Sequence, residues 1–180
     1  RTYTLGESDR LVVFLTRDRG KRRGVAKNAR QSRRRFGGAL EPMTVCRVAY
    51  VEREHRDLVF LNYAEPRLSP LRMADGEAMG QMGYFAELID EWAPEGDPNE
   101  TLFRLGVSLL EAAVDGVPVD PLARYFEYWL LRLQGVYEPD PEASPGATAF
   151  LTAARACSPV RMGEVAAPLV VMRELERTHR

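Results

Sequence analysis

Along the chain, the spacing of apolar and polar positions changes its period once, near residue 65. Before that point apolar residues come in short β-branched runs, of which Leu11-Val12-Val13-Phe14-Leu15-Thr16 is the clearest. Candidate strands are Arg1–Thr4, Arg10–Thr16, Lys21–Ala26, Met43–Glu52 and Leu58–Ala64. Gly6-Glu7-Ser8-Asp9 and Glu54-His55-Arg56-Asp57 are polar breaks between them. Asp18-Arg19-Gly20 carries turn chemistry, so the second and third strands are expected to form a hairpin, followed by a loop ending at Gly37-Gly38. In the fourth strand Val45, Arg47 and Ala49 alternate with Cys46, Val48 and Tyr50, the period of a half-buried strand. Five short strands in so few residues predict a small closed or nearly closed barrel. The OB-fold is the commonest such barrel with a nucleic-acid role, and an SH3-like barrel has the same hydropathy pattern.

Glu65-Pro66-Arg67-Leu68-Ser69-Pro70 breaks the strand pattern and reads as a linker. Beyond it apolar residues recur every three or four positions. Met79, Met82, Phe85, Ala86, Ile89 and Trp92 mark an amphipathic helix over Met73–Trp92, ended by Pro94-Glu95-Gly96-Asp97-Pro98. Asn99 is placed to cap a second helix carrying Leu102, Leu105, Leu109, Leu110 and Ala113, which stops near Gly116. Pro121 sits in the first turn of a third, with Leu122, Tyr125, Phe126, Trp129, Leu130 and Leu133, ending at Gly135. Two more are expected, Pro145–Ala156 and Met162–Arg177. The predicted class is therefore α+β: a barrel over residues 1–65, then an all-α part over 66–180. The aromatic and methionine stripes of the second part suit a core, their commoner role, or a peptide-binding groove.

Charge sharpens this picture. The segment Arg17–Arg35 (RDRGKRRGVAKNARQSRRR) holds ten of the 25 basic residues but one of the 26 acidic ones, leaving 15 against 25 elsewhere. A formal net charge of −1 thus hides a strongly basic patch on an acidic body. Clustered Lys and Arg displace condensed counterions from phosphates, and a patch held on a hairpin is a surface rather than a loose arm. Arg17, Lys21, Arg22, Arg23, Lys27, Arg30, Arg33, Arg34 and Arg35 make the patch a candidate nucleic-acid contact surface. Tyr3, Phe14 and Phe36 are candidates for base stacking, although each also suits a core. The helical part is acidic and by itself should avoid nucleic acid.

At 180 residues, 45% hydrophobic and 28% charged, the composition is that of a globular protein. No apolar run approaches the ~20 residues a membrane helix requires, and no segment resembles a signal peptide. Arg1-Thr2-Tyr3 reads as the middle of a strand, so residues are expected upstream of it. Cys46 and Cys157, 111 positions apart, have no disulfide-framework or metal-knuckle spacing and read as small buried apolar side chains of a reducing compartment. His55 and His179 lie in polar settings where exposure is expected, without carboxylate or cysteine at metal-ligand spacing. There is no Walker A loop, no GxGxxG after a strand and no GxSxG. No catalytic residue, cofactor or metal is predicted, and a non-enzymatic role is expected.

Several segments together resemble a known family. They are Leu5-Gly6-Glu7-Ser8-Asp9-Arg10, Arg17-Asp18-Arg19-Gly20-Lys21, Val25-Ala26-Lys27-Asn28-Ala29-Arg30, Ser32-Arg33 and Gly37-Gly38-Ala39-Leu40-Glu41-Pro42. Tyr125-Phe126-Glu127, Leu130-Leu131-Arg132-Leu133-Gln134-Gly135, Tyr137 and Ser144-Pro145-Gly146-Ala147 follow in the same order. Spanning most of the chain, they are similar to the RecO recombination-mediator proteins. The resemblance implies an N-terminal OB-fold and a helical domain that continues past the position of His179. It also implies binding of single- and double-stranded DNA, with the nine basic residues named above where the family's OB-fold contacts it, annealing of complementary strands, and partnership with RecR and with single-strand DNA-binding protein through its acidic tail. Together these load recombinase onto coated strands during repair, in a bacterial cytoplasm at the nucleoid. One departure stands out: where many members carry a zinc module with two Cys-x-x-Cys pairs, Glu138-Pro139-Asp140-Pro141-Glu142-Ala143 runs straight into Ser144, so zinc is not predicted here. Two rival readings of the patch remain, an adaptor with an acidic protein partner and an RNA-binding barrel of the translation apparatus.

Overall fold

The apolar runs of the first third pair into one five-stranded sheet in a computed structural model that describes residues 1–54, 57–73 and 76–179. Its strands are β1 (Thr2–Leu5), β2 (Asp9–Thr16), β3 (Gly20–Ala26), β4 (Val45–Val51) and β5 (Leu58–Leu68), in the order β1-β2-β3-β5-β4. Neighbours are antiparallel except β3 and β5, which run parallel. A parallel pair cannot be closed by a hairpin. The chain between them therefore crosses over, by way of a short helix α1 (Arg33–Phe36) and β4. This is the five-stranded Greek-key barrel of the OB-fold, so the topology decides between the two barrels that hydropathy left open. Val12, Ala26, Val59, Leu61 and Ala64 fill its interior with Phe36 of α1, and Phe14, Cys46, Val48 and Tyr50 pack against them.

One expectation fails at the end of β5. The segment Glu65–Leu68, read as linker, is its last turn of pairing: Cys46 faces Pro66 and Val45 faces Leu68. β3 accompanies β5 only along Leu58–Phe60, so around Pro66 one edge of β5 is free of the sheet and tolerates a residue without an N–H. β5 also opposes Ala49 and Tyr50 with Tyr63 and Leu61, leaving Asn62 as an extra residue, and Arg67 is extra in the same way. Such bulges bend a strand and increase its twist, which an 11-residue strand needs to follow a small barrel.

The chain forms two compact units, Arg1–Leu110 and Glu111–Arg180. In the first, α2 (Gly76–Trp92) and the opening of α3 (Glu100–Val114) join the barrel. Asn99 caps α3 as expected, its Oδ1 accepting from the Leu102 N–H at 2.9 Å. Ala74 and Asp75, at the expected start of α2, lie outside the described residues. The second unit packs α4 (Val119–Leu133), α5 (Pro145–Ala156) and α6 (Leu169–Thr178) around Leu122, Phe126, Phe150, Met162 and Leu175. Ser144 Oγ accepts from Ala147 N–H at 3.1 Å, capping α5, and donates to Glu174 on α6 at 2.7 Å. The helix expected over Met162–Arg177 is two pieces, a 3-10 segment Pro159–Glu164 and α6. Pro168 separates them, because it lacks an N–H and drives the preceding residue out of helical geometry.

Candidate nucleic-acid interface

The β2–β3 hairpin does not present its basic residues as one surface. It divides them into three groups along its length, the first and last about 20 Å apart at ~3.3 Å per strand residue.

At the turn, Thr16 Oγ1 accepts from Arg19 N–H and donates to Gly20 carbonyl, each at 2.9 Å. Arg19 lies beside Asp18, and the Arg17 guanidinium sits over the Phe103 ring at 5.5 Å.

Along β3 the pleat sends alternate side chains to opposite faces. Lys21 and Arg23 share the outer face with Leu15 and Val13, while Arg22 shares the inner face with Phe14. All three meet acids. Lys21 Nζ donates to the Asp90 main-chain carbonyl and lies 3.4 Å from its carboxylate, with only 11% of the side chain exposed. Arg23 pairs with Glu95 at 2.7 Å and Arg22 with Glu52 at 3.4 Å. The segment after α2 is laid against β3, with Gly96 N–H on the Lys21 carbonyl at 3.0 Å. Gly20 permits this approach: its φ is +67°, and a Cβ there would overlap the Asp97 main chain.

The third group gathers where β3 ends. Asn28, at φ +54°, turns the chain, its N–H on Asp9 Oδ1 at 2.8 Å and its carbonyl accepting from Ser32 N–H at 3.0 Å. α1 follows, pinned by Phe36, which is 3% exposed in the barrel core, while Arg33 and Arg34 stand in solvent. Arg35 donates to Ser32 Oγ at 3.0 Å and to the Lys27 carbonyl at 2.6 Å, and Arg30 donates to the Glu7 carbonyl at 3.0 Å. Among the described residues, none of Lys27, Arg30, Arg33, Arg34 and Arg35 forms an ion pair with an acid. Main-chain and hydroxyl acceptors hold Arg30 and Arg35 without cancelling their charge, so five cations within nine positions form one cluster unopposed by acids among the described residues. Of the nine candidates, the structure brings these five together, ties Lys21, Arg22 and Arg23 to carboxylates, and leaves Arg17 at the far end of the hairpin.

The aromatic candidates part in the same way. Phe36 is core, Phe14 packs edge-on against Tyr50 at 5.7 Å, and Tyr3 is 42% exposed. The hydropathy reading passed over Phe60 and Arg53. The Phe60 ring has Lys27 Nζ at 5.8 Å and the Arg53 guanidinium at 4.8 Å. The sequence carried a signal for it, since Phe60 alternates with the buried Val59 and Leu61 and so belongs to the outer face.

Other ionisable groups lie elsewhere. His179, expected to be exposed, has a side chain only 2% exposed in the second unit, its Nδ1 3.2 Å from Glu127, which also pairs with Arg124 at 2.9 Å. Packing of α6 on α4 takes it out of solvent, which a residue near the end of the chain did not suggest. His55 lies outside the described residues. Cys46 and Cys157 are free, half-buried thiols, and burial pushes Cys46 up to about 11. Among the described residues no three His, Cys, Asp or Glu side chains are grouped to hold a metal, and no helix is long and apolar enough to cross a membrane. A mainly apolar cavity of about 190 Å³ in the first unit lies among Phe14, Leu40, Met43, Ile89, Phe103 and Val107.

Comparison with known families covers both the barrel and the helices that follow it. The family model described as Recombination protein O N terminal matches residues 1–69, and that described as Recombination protein O C terminal matches residues 73–169. The chain belongs to the RecO family. Relatives named DNA repair protein RecO include one from Koribacter versatilis, 44% identical over 136 residues, or 75% of this chain and 55% of the relative. One from Geobacter metallireducens is 44% identical over 130 residues, covering 72% and 52%, and one from Anaeromyxobacter sp. (strain K) is 41% identical over 138, covering 76% and 54%. The chain thus spans about half the length of the RecO relatives it matches.

Proposed function

We propose that this chain is the DNA-binding part of a recombination mediator. It holds single- and double-stranded DNA by the phosphates, anneals complementary strands, and works with RecR and single-strand DNA-binding protein to load recombinase during repair. The observation that carries this reading is the group Lys27, Arg30, Arg33, Arg34 and Arg35, basic, ordered and unopposed by acids among the described residues. Charge of this kind grips phosphates whatever the sequence, because sequence is read by side chains aimed at base edges and no such set is recognisable here. Annealing follows from the same chemistry, since two mutually repelling strands are neutralised on one surface and no bond is made or broken. In this reading residues 1–65 hold the nucleic acid and residues 66–180 receive protein partners, including an acidic peptide tail. The setting is a bacterial cytoplasm, at the nucleoid.

The test is fluorescence anisotropy of a labelled single strand over a salt series, with annealing of a complementary strand followed in parallel. A linear decline of log affinity against log salt, with a slope of several phosphates, is expected. Weak binding with little salt dependence overturns the reading and favours an acidic protein as the partner of the patch.

A further inference from the structure

Around Phe60 the outer face of β4 and β5 carries exposed apolar side chains beside the basic group at the exit of β3. On it Val51 faces Phe60 across the ladder and Ala49 faces Tyr63, while Leu58 stands two residues before Phe60. Leu58 is 37% exposed, Tyr63 39% and Val51 46%, whereas Val59 and Leu61, facing inward, are nearly buried. Apolar side chains directed outward from a barrel add nothing to its core. Phe60, the central ring of this strip, has Lys27 and Arg53 over it. Among the described residues neither cation pairs with a carboxylate, and Glu52, at the exit of β4, is engaged by Arg22. The strip is continuous with the basic exit of β3: Lys27 belongs to both, Arg35 donates to its carbonyl, and α1 packs against β5.

A half-buried ring bracketed by cations, amid exposed apolar neighbours and next to a basic cluster, matches an unpaired nucleotide. Its base offers a π face and its phosphate a charge about one side-chain length away. Duplex DNA offers the phosphates but keeps its base faces stacked and out of reach. We propose that Phe60 is a base-stacking residue: one unpaired base lies on its ring, and Lys27 and Arg53 turn to the phosphates on either side. This rests on the DNA-binding reading above and deepens it, making the β4–β5 outer face the element that distinguishes a single strand from a duplex.

The test compares wild type with Phe60→Leu, which keeps apolar bulk on the strand and removes the ring. Three probes of equal length are used: a single strand, an abasic strand with the same phosphates, and a duplex. Loss of one stacked base is expected to weaken single-strand binding about 5- to 150-fold, with duplex binding and the salt slope unchanged. The abasic strand should bind wild type and Phe60→Leu equally. Equal affinity of wild type for the normal and abasic strands overturns the proposal without any variant, as does an equal loss on strand and duplex in a folded Phe60→Leu. A wild type that binds all three probes weakly and without salt dependence instead overturns the DNA-binding reading on which the proposal rests.

Discussion

The division of the basic stretch makes a quantitative prediction. Arg33→Gln with Arg34→Gln removes two cations without acid partners among the described residues. Arg22→Gln with Arg23→Gln removes two that already face Glu52 and Glu95. On a single strand each neutralised phosphate contributes about 0.7 to the salt slope, so five available cations give a slope of about 3.5 and three give about 2.1. Raising salt from 50 to 200 mM then weakens wild type by about 120-fold but the Arg33/Arg34 variant by only about 20-fold. The Arg22/Arg23 variant unmasks two carboxylates, which lowers affinity at every salt concentration but leaves the slope near its wild-type value. For Arg23–Glu95, both side chains half-exposed, the stability cost is also small, about 0–1 kcal/mol. Anisotropy of a labelled oligonucleotide at five or six salt concentrations reads both quantities. Equal loss of slope in the two variants would refute the reasoning, because it would mean that the observed ion pairs do not withhold Arg22 and Arg23 from phosphates.

Three further outcomes are expected. Gly20→Ala should destabilise the first unit by more than the ~1 kcal/mol cost of placing Ala at positive φ, because its Cβ meets Asp97 main chain that cannot step aside. Gly38→Ala, at φ +71° with only Leu71 Cδ1 3.6 Å away, should cost about the φ term alone, and urea denaturation of both variants separates the contributions. Burial raises Cys46 from an ordinary 9.0 to about 11, which leaves about 100-fold less thiolate at neutral pH, so Cys46 should resist a thiol reagent in the native state and react on unfolding. Hydrogen bonds from the Ser144 N–H and hydroxyl hold the Glu174 carboxyl below its ordinary range, so its contribution to stability is present above the unfolded value of 4.5 and is lost as pH falls through the lowered folded one. Melting of wild type and Glu174→Gln against pH should differ near neutrality and converge in acid; a gap that persists at the lowest pH would assign the effect to packing.

What the sequence by itself determined is local. Period-two runs located the five strands, and the periodic stripes with Asn99, Pro121 and Pro145 located most helices, because burial period and capping act over a few residues. The OB topology and the distribution of charge needed the tertiary fold. Nothing in Leu58–Phe60 announces that it lies parallel to β3, yet that pairing defines the barrel and sets Phe60 beside Lys27. Pro66 and Pro168 show both limits of proline as a breaker. Pro168 interrupts the expected helix and stands at the N-cap of α6, whereas Pro66 stays in a strand because its neighbours leave that edge free. Arg17 to Arg35 looked uniform because a sequence counts charges. Which of them remain available was decided by acids 30 to 72 positions away, just after β4 and at or just beyond the end of α2, since an ion pair depends on distance in space and not along the chain.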